Sequence, residues 1–152
     1  MRVLLRGATV FDGDELSEGA GDVLIVDGTF ARPDGQPVDR EIDLTGWTVA
    51  PGFFDCHVHV NRYLVDLMSR LEHPFSYQFY AAAENLSRTL DLGITTVRDA
   101  GGADLGTKTA QEDGLIRGSR LMISVAAIGP TGGHTDAWKV SGARAYHWMP
   151  HP

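Results

Sequence analysis

The sequence has little cysteine and no long hydrophobic run. Cys56 is the only cysteine among its 152 residues, so an internal disulfide cannot form, and this favours a reducing compartment. The longest apolar runs are the length of a strand, far short of the ~20 residues that a membrane-spanning helix needs. The first residues also carry too short an apolar run for a signal peptide. We therefore expect a cytoplasmic protein with no membrane partner.

Basic residues are also scarce. The sequence has 13 Lys and Arg residues against 20 Asp and Glu residues, which gives a formal net charge of −7, and it has no Lys/Arg cluster. A nucleic-acid-binding surface normally needs a basic patch, so we expect no nucleic-acid partner. The hydrophobic fraction of 43% suffices for the packed core of about one ordinary domain.

Residues 1–52 are typical of short strands separated by turns, and they show no helical periodicity. Asp27-Gly28 directly follows a strand-like run and is a strong signal for a two-residue hairpin turn. Gly7 separates the first two strand-like runs. We therefore predict a small antiparallel sheet, which would hardly be stable alone. The strand-like segments are residues 3–5, 8–11, 22–26, 41–44 and 47–50.

After Pro51-Gly52 the pattern changes to strands that alternate with helices. Residues 77–91 carry an apolar stripe at helical spacing, with Ser76 as the predicted N-cap and Gly93 as the predicted C-terminal stop. Such an alternation predicts an α/β fold with a parallel sheet built from right-handed crossovers. The other predicted elements are a helix over residues 105–113 and strands near 53–60, 94–99 and 120–127.

One predicted strand carries the most informative polar residues. Asp55, His57 and His59 alternate along it, so their side chains share one face, although buried parallel strands are usually apolar throughout. Two imidazoles two residues apart can ligate one metal ion at ~2.0–2.1 Å, and Asp55 can steady them from outside the ligand set. The alternative is an exposed edge strand with two solvated histidines. The preceding Pro-Gly and the apolar opposite face favour a metal site.

The string VAPGFFDCHVHV resembles the first barrel strand of the metal-dependent amidohydrolase superfamily, whose pattern is Pro-Gly-hydrophobic-hydrophobic-Asp-x-His-x-His. The strings ITTVRDAGG and IGPTGGHTD are similar to its imidazolonepropionase-like and prolidase-like branch. The likeness extends from residue 1 to about residue 136. It implies the N-terminal part of a composite β-sandwich over residues 1–52, followed by an incomplete (β/α)₈ TIM barrel over residues 53–152.

The resemblance also implies a site and a chemistry. His57 and His59 would ligate a divalent metal, with zinc expected, and Asp55 would support them. Members of the superfamily hydrolyse C–N bonds of cyclic amides or peptide-like substrates by attack of a metal-bound hydroxide. Their remaining ligands and the proton-transferring aspartate belong to later barrel strands, so we predict no catalytic residue in this sequence.

Three further residues have two interpretations each. His134 follows the third predicted strand, where barrel loops reach the active site, and it is either a substrate contact or a solvated loop residue. Asp99 ends the second predicted strand and either binds substrate or stabilises the Gly101-Gly102 turn. Cys56 is expected to be a buried, inert thiol that faces the helices rather than a nucleophile.

The length of the sequence limits what it can do. A (β/α)₈ barrel takes about 250 residues, and those that follow Gly52 suffice for about three of the eight strands. We therefore expect the chain alone to be inactive toward a small-molecule amide or dipeptide-like substrate, and to be oligomeric or dependent on a complementing chain. The alternatives are a catalytically dead remnant and a small metal-binding or scaffolding module that needs a partner chain.

Overall fold

The computed structural model describes residues 1–62, 72–126, 128–131 and 133. The chain divides into two compact units, Met1–Pro51 and Gly52–Pro152. None of the helices within the described residues is long and apolar enough to cross a membrane. The strands are β1 (Arg2–Val10), β2 (Gly21–Val26), β3 (Thr29–Ala31), β4 (Arg40–Asp43), β5 (Thr48–Val49), β6 (Phe53–Val58), β7 (Ile94–Asp99) and β8 (Arg120–Ile123), and the helices are α1 (Tyr77–Asp91) and α2 (Leu105–Glu112).

The first unit contains a five-stranded mixed sheet in the order β3-β2-β1-β4, with β5 paired to the far end of β1. Strands β1, β2 and β3 pair antiparallel, whereas β4 and β5 both run parallel to β1. The prediction of an antiparallel sheet is therefore wrong for β4 and β5. The reason is the path of the chain, because β4 starts beside the beginning of β1, where Arg40 pairs with Val3.

Strand β1 is continuous, although two strand-like runs were predicted on either side of Gly7. The register shifts between Leu5 and Ala8, and Gly7 lies between them with a φ of 71°. Its N–H donates to Oδ1 of Asp22, and an added Cβ would stand 2.9 Å from the Thr45 hydroxyl oxygen. Glycine therefore allows an irregularity inside the strand rather than ending it.

The predicted hairpin at Asp27-Gly28 is confirmed. Val26 pairs with Thr29 across the turn, and the two residues between them have φ values of 50° and 82°. Positive φ at both central residues defines the type I′ turn, whose twist matches that of the flanking strands.

The second unit contains a three-stranded parallel sheet in the order β6-β7-β8, which confirms the predicted parallel arrangement. Helix α1 lies between β6 and β7 along the chain, and α2 lies between β7 and β8. Both helices agree with the sequence pattern within one residue. An α/β fold with a mixed sheet in one unit and a parallel sheet in the other is thus established.

The predicted helix ends are confirmed except for one cap. Gly93 and Gly114 follow α1 and α2 with φ values of 84° and 73°, as C-terminal stops require. Asp104 caps α2, because its Oδ1 accepts the N–H of Thr107 at 2.8 Å. Ser76 precedes α1 but makes no side-chain cap, since its own backbone is already helical and not extended.

The core of the second unit lies between α1 and the parallel sheet. Leu86 of α1 is fully buried against Val97 of β7 and Leu121 of β8. Side chains alternate along strands, so Arg98 and Met122 lie on the opposite face, where both are exposed. The other buried members of the core are Val60, Ala82 and Ala103.

Candidate metal site

The structure brings the two motif histidines together at the end of β6. His57 is the second-to-last residue of β6, and His59 follows directly after Val58, the last residue of the strand. The centres of their rings are 5.3 Å apart, and the ring planes are nearly perpendicular at 85°. His57 is exposed and His59 is half-buried, so the pair stands at the surface of the described residues.

This spacing fits a shared metal ion. Imidazole nitrogens bind zinc at about 2.0–2.1 Å in a tetrahedral arrangement, which holds the centres of two ligating rings about 5 Å apart. The observed separation of 5.3 Å between the rings of His57 and His59 therefore needs little adjustment.

A main-chain carbonyl determines which nitrogen of His59 is available. Nδ1 of His59 lies 2.8 Å from the carbonyl oxygen of Gly101. A carbonyl oxygen only accepts hydrogen bonds, so Nδ1 carries a proton and donates it, and in the neutral ring Nε2 therefore has the lone pair. Metal-ligating histidines are commonly held in this way, with the second ring nitrogen bonded to a carbonyl or carboxylate.

Asp55 acts on the main chain of the motif. Its Oδ1 accepts the N–H of His57 at 3.0 Å, and the pairing of β6 with β7 shifts register between Asp55 and Val58. The predicted supporting role of Asp55 toward an imidazole stays a prediction, because the contact shown involves the backbone of His57. The hydrogen bond that is shown holds the peptide of His57.

Asp99 lies at the end of β7, as predicted, and is fully buried. Its Oδ1 accepts the N–H groups of Gly101 at 2.8 Å and Ala103 at 3.2 Å, and its Oδ2 accepts the N–H of Val60 at 2.7 Å. These are contacts of the turn-stabilising role. The substrate contact of Asp99 stays a prediction.

Two asparagines near the motif were not predicted from the sequence. Asn85 of α1 donates from Nδ2 to the carbonyl oxygen of Val60 at 2.9 Å. Asn61 is 4% exposed, and among the residues that the structure describes neither its amide nitrogen nor its amide oxygen has a hydrogen-bond partner. The one available signal for Asn61 was its place two residues after His59.

The remaining candidates have different outcomes. His134 lies outside the described residues. The prediction that Cys56 is buried is wrong, because its thiol is exposed. Phe54, two residues earlier in β6, is also 71% exposed, so the described residues leave this part of the strand uncovered.

The described residues supply two candidate metal ligands and not a complete set. Within them, no group of three or more His, Cys, Asp and Glu side chains is arranged to hold a metal ion. A catalytic zinc site normally has three protein ligands and one open position. His57 and His59 are therefore two candidate ligands and not a complete site.

Comparisons with known proteins give a family match and several relatives. Residues 48–141 match the Amidohydrolase family. The chain is 40% identical over 65 residues to a dihydroorotase from Solibacter usitatus (strain Ellin6076), which covers 41% of this chain and 15% of that protein. It is 36% identical over 90 residues to an ochratoxinase from Aspergillus niger, which covers 57% of this chain and 18% of that protein.

A solved structure extends the match to both units. A prolidase complexed with N-methylphosphonate-L-proline superposes with a TM-score of 0.75 and 35% identity, over 88% of this chain and 34% of the prolidase chain. The match thus spans about one third of the solved relative, and the matches above span less than one fifth of the curated ones.

Proposed function

The chain belongs to the amidohydrolase family, and on this premise we propose that it contributes the first two metal ligands, His57 and His59, of a hydrolase of C–N bonds. The observation that carries this proposal is the bond from Nδ1 of His59 to the carbonyl of Gly101, which leaves Nε2 of His59 for a metal, together with the separation of 5.3 Å between the ring centres of His57 and His59. The bond hydrolysed would belong to a cyclic amide or a dipeptide-like molecule. The dihydroorotase and the prolidase among the relatives support this substrate class.

The fold we propose for the whole protein follows from the second unit. Strands β6, β7 and β8 would be the first three strands of a (β/α)₈ TIM barrel, and the sheet of the first unit would belong to a composite β-sandwich. The parallel order of the three strands and the likeness to the prolidase structure support this. In such barrels the active site lies at the carboxyl ends of the strands, which is where His59 and Asp99 stand.

The residues of this chain would bind and orient rather than transfer protons. His57 and His59 would hold a divalent ion, with zinc as our expectation. When bound, the ion would polarise the substrate carbonyl and lower the pKa of a coordinated water. Asp55 fixes the peptide of His57, and Gly101 fixes the ring of His59. His134 is proposed as a substrate contact.

Metal titration tests the ligand pair. We expect Co²⁺ or Zn²⁺ to bind the chain weakly and to be removed easily by a chelator, because two imidazoles supply half of the four ligands of a tetrahedral ion. His57→Ala and His59→Ala should abolish this binding, measured by isothermal titration calorimetry. His73→Ala is the matched control, since His73 lies outside the motif, and it should bind like the wild type. Equal binding by His57→Ala would refute the proposal.

A second proposal concerns activity. We infer that the chain alone is inactive and that turnover needs further site residues, supplied by a complementing chain or by oligomerisation. The presence of only two candidate ligands among the described residues favours this. Incubation of the purified chain with a proline dipeptide and Zn²⁺ should give hydrolysis at the background rate, measured by amino-acid release. Turnover that survives His57→Ala would show an unrelated site, and turnover lost in His57→Ala would show that this chain suffices.

A further inference from the structure

We propose that Asp99 is a positioning residue that fixes His59 for metal binding from two sides, through the ring and through the backbone. The inference rests on the proposed role of His59 as a ligand. The hydrogen bonds of Asp99 go to main-chain N–H groups. Asp99 acts through Gly101 and Val60.

The first side is the ring. Oδ1 of Asp99 accepts the N–H groups of Gly101 and Ala103, and so curls the segment that follows β7 back over its own carboxylate. Gly101 and Gly102 adopt φ values of 141° and 124°, which side chains other than glycine rarely allow. This curl directs the carbonyl of Gly101 at Nδ1 of His59. The protonated nitrogen of the ring is therefore set by a loop whose shape Asp99 determines.

The second side is the backbone. The peptide after His59 is fixed because its N–H, from Val60, donates to Oδ2 of Asp99 at 2.7 Å. The peptide before His59 is fixed because its carbonyl, from Val58, accepts the N–H of Ala100 at 2.9 Å. Both peptides that flank the proposed ligand are thus held by Asp99 and its neighbour in sequence.

The chemistry requires a carboxylate rather than an amide. Asp99 is fully buried and serves acceptor contacts on both of its oxygens. An asparagine has one acceptor oxygen and one donor group. In Asp99→Asn the one remaining oxygen can accept either from Gly101 and Ala103 or from Val60. The NH₂ group would then face an N–H donor at the other position.

The test uses ¹⁵N NMR of the histidine rings and Co²⁺ titration of the full chain. In the metal-free wild type we expect the His59 ring to carry its proton on Nδ1. In Asp99→Asn we expect a mixture of tautomers and a Co²⁺ affinity about 10- to 100-fold lower, which is the usual effect of losing a group that orients a ligand. Retention of the tautomer and of the affinity within twofold would overturn the inference.

The matched control is Asp104→Asn. Asp104 also lies after β7, but its side chain caps α2, because Oδ1 accepts both the N–H and the hydroxyl of Thr107. This variant should lose stability and keep both the Nδ1 tautomer and the Co²⁺ affinity. A shift of the His59 tautomer in Asp104→Asn equal to that in Asp99→Asn would show that general destabilisation is the cause, and would also overturn the inference.

A measurement on the wild type covers the case in which Asp99→Asn does not fold. Zn²⁺ should shift the amide signals of Val60, Gly101 and Ala103, because all three donate to Asp99, and should leave the amide of Thr107 in place. Shifts of both histidine rings without shifts of these three amides would overturn the inference. If the wild type binds no metal, the proposed function fails, and the metal-free tautomers of the wild type and Asp99→Asn then decide the positioning role alone.

Discussion

The two units use the same carboxylate motif at opposite extremes of exposure. In the first unit, Oδ1 of Asp43 accepts the N–H of Thr45, two residues later, at 2.9 Å on the surface. In the second unit, Oδ1 of Asp99 accepts the N–H of Gly101, also two residues later, at 2.8 Å inside the protein. The buried Asp99 has two further partners. Its Oδ1 also accepts the N–H of Ala103, and its Oδ2 accepts the N–H of Val60, which follows the neighbouring strand β6.

This difference shows that the local hydrogen-bond pattern of an aspartate does not by itself reveal whether the residue supports a functional site. An aspartate that bonds the backbone two residues on is a common turn former. Around Asp43 water can replace each lost bond, whereas around Asp99 it cannot reach the donors. The buried copy therefore links two strand ends, and the exposed copy only closes a turn.

The largest expected effect comes from removing each carboxylate. Asp99→Ala should lower the free energy of unfolding by about 3 kcal/mol or more, because each buried N–H left without an acceptor costs about 1–3 kcal/mol. Asp43→Ala should cost within about 1 kcal/mol, as exposed substitutions usually do. Urea unfolding followed by amide signals from each unit measures both. Equal losses would break the comparison.

A smaller effect on stability is expected from replacing glycines, and it distinguishes steric crowding at Gly118 from unfavourable backbone conformation at Gly46. A Cβ on Gly118 would stand 2.5 Å from Cβ and 2.9 Å from the carbonyl carbon of Leu86, so Gly118→Ala should cost about 1–3 kcal/mol. Gly46 in the first unit has a φ of 81° and no atom within 4 Å of an added Cβ, so Gly46→Ala should cost about 1 kcal/mol. Thermal unfolding of the two variants tests this order. A larger loss for Gly46→Ala would reverse it.

The smallest effect is a pH dependence of the first unit. Hydrogen bonds from the N–H groups of neighbouring residues hold the pKa of Asp12 and Asp34 below the ordinary 3.8, the side chain of Thr45 does so for Asp43, and the N-terminal amino group does so for Asp27. The ionised forms favour the folded state, so their contribution is complete above 3.8 and is lost as the pH falls through the lowered pKa values.

The Met1 amino group, which pairs with Asp27, gives a loss of stability at alkaline pH instead of acid pH. The Asp27 carboxylate raises the pKa of the Met1 amino group above 8.0, so that contribution is present below pH 8.0 and is lost as the pH rises through the raised value. In Asp27→Asn the loss of stability at alkaline pH should disappear and the loss at acid pH should become smaller. Urea midpoints of the first unit, measured against pH, test both. An unchanged loss at alkaline pH in Asp27→Asn would contradict the assignment.

The parts of the fold that depend on local patterns could be predicted from the sequence. Helix α1 matches the prediction at both ends, because an apolar stripe and Gly93 determine it. The approach of His57 to His59 follows from their spacing along one strand. The family followed from the strings around these residues and from the match over residues 48–141.

The parts of the fold that depend on contacts between residues distant in sequence could not be predicted. A strand-like run has the same composition in either direction, so the parallel pairing of β4 with β1 was not visible. The bond from Val60 to Asp99 joins residues 39 positions apart at a point where the strand register is irregular. The exposure of Cys56 depends on what packs over β6, which periodicity does not encode.

The exposed thiol of Cys56 has a practical consequence. Since it is the only cysteine of the chain, a maleimide dye would label this one position without any mutagenesis. The dye would be attached directly beside His57, and Cu²⁺ or Co²⁺ quenches fluorophores at such short range. Strand β6 therefore provides its own attachment point for an optical reporter of metal occupancy, which can be read in real time during a titration.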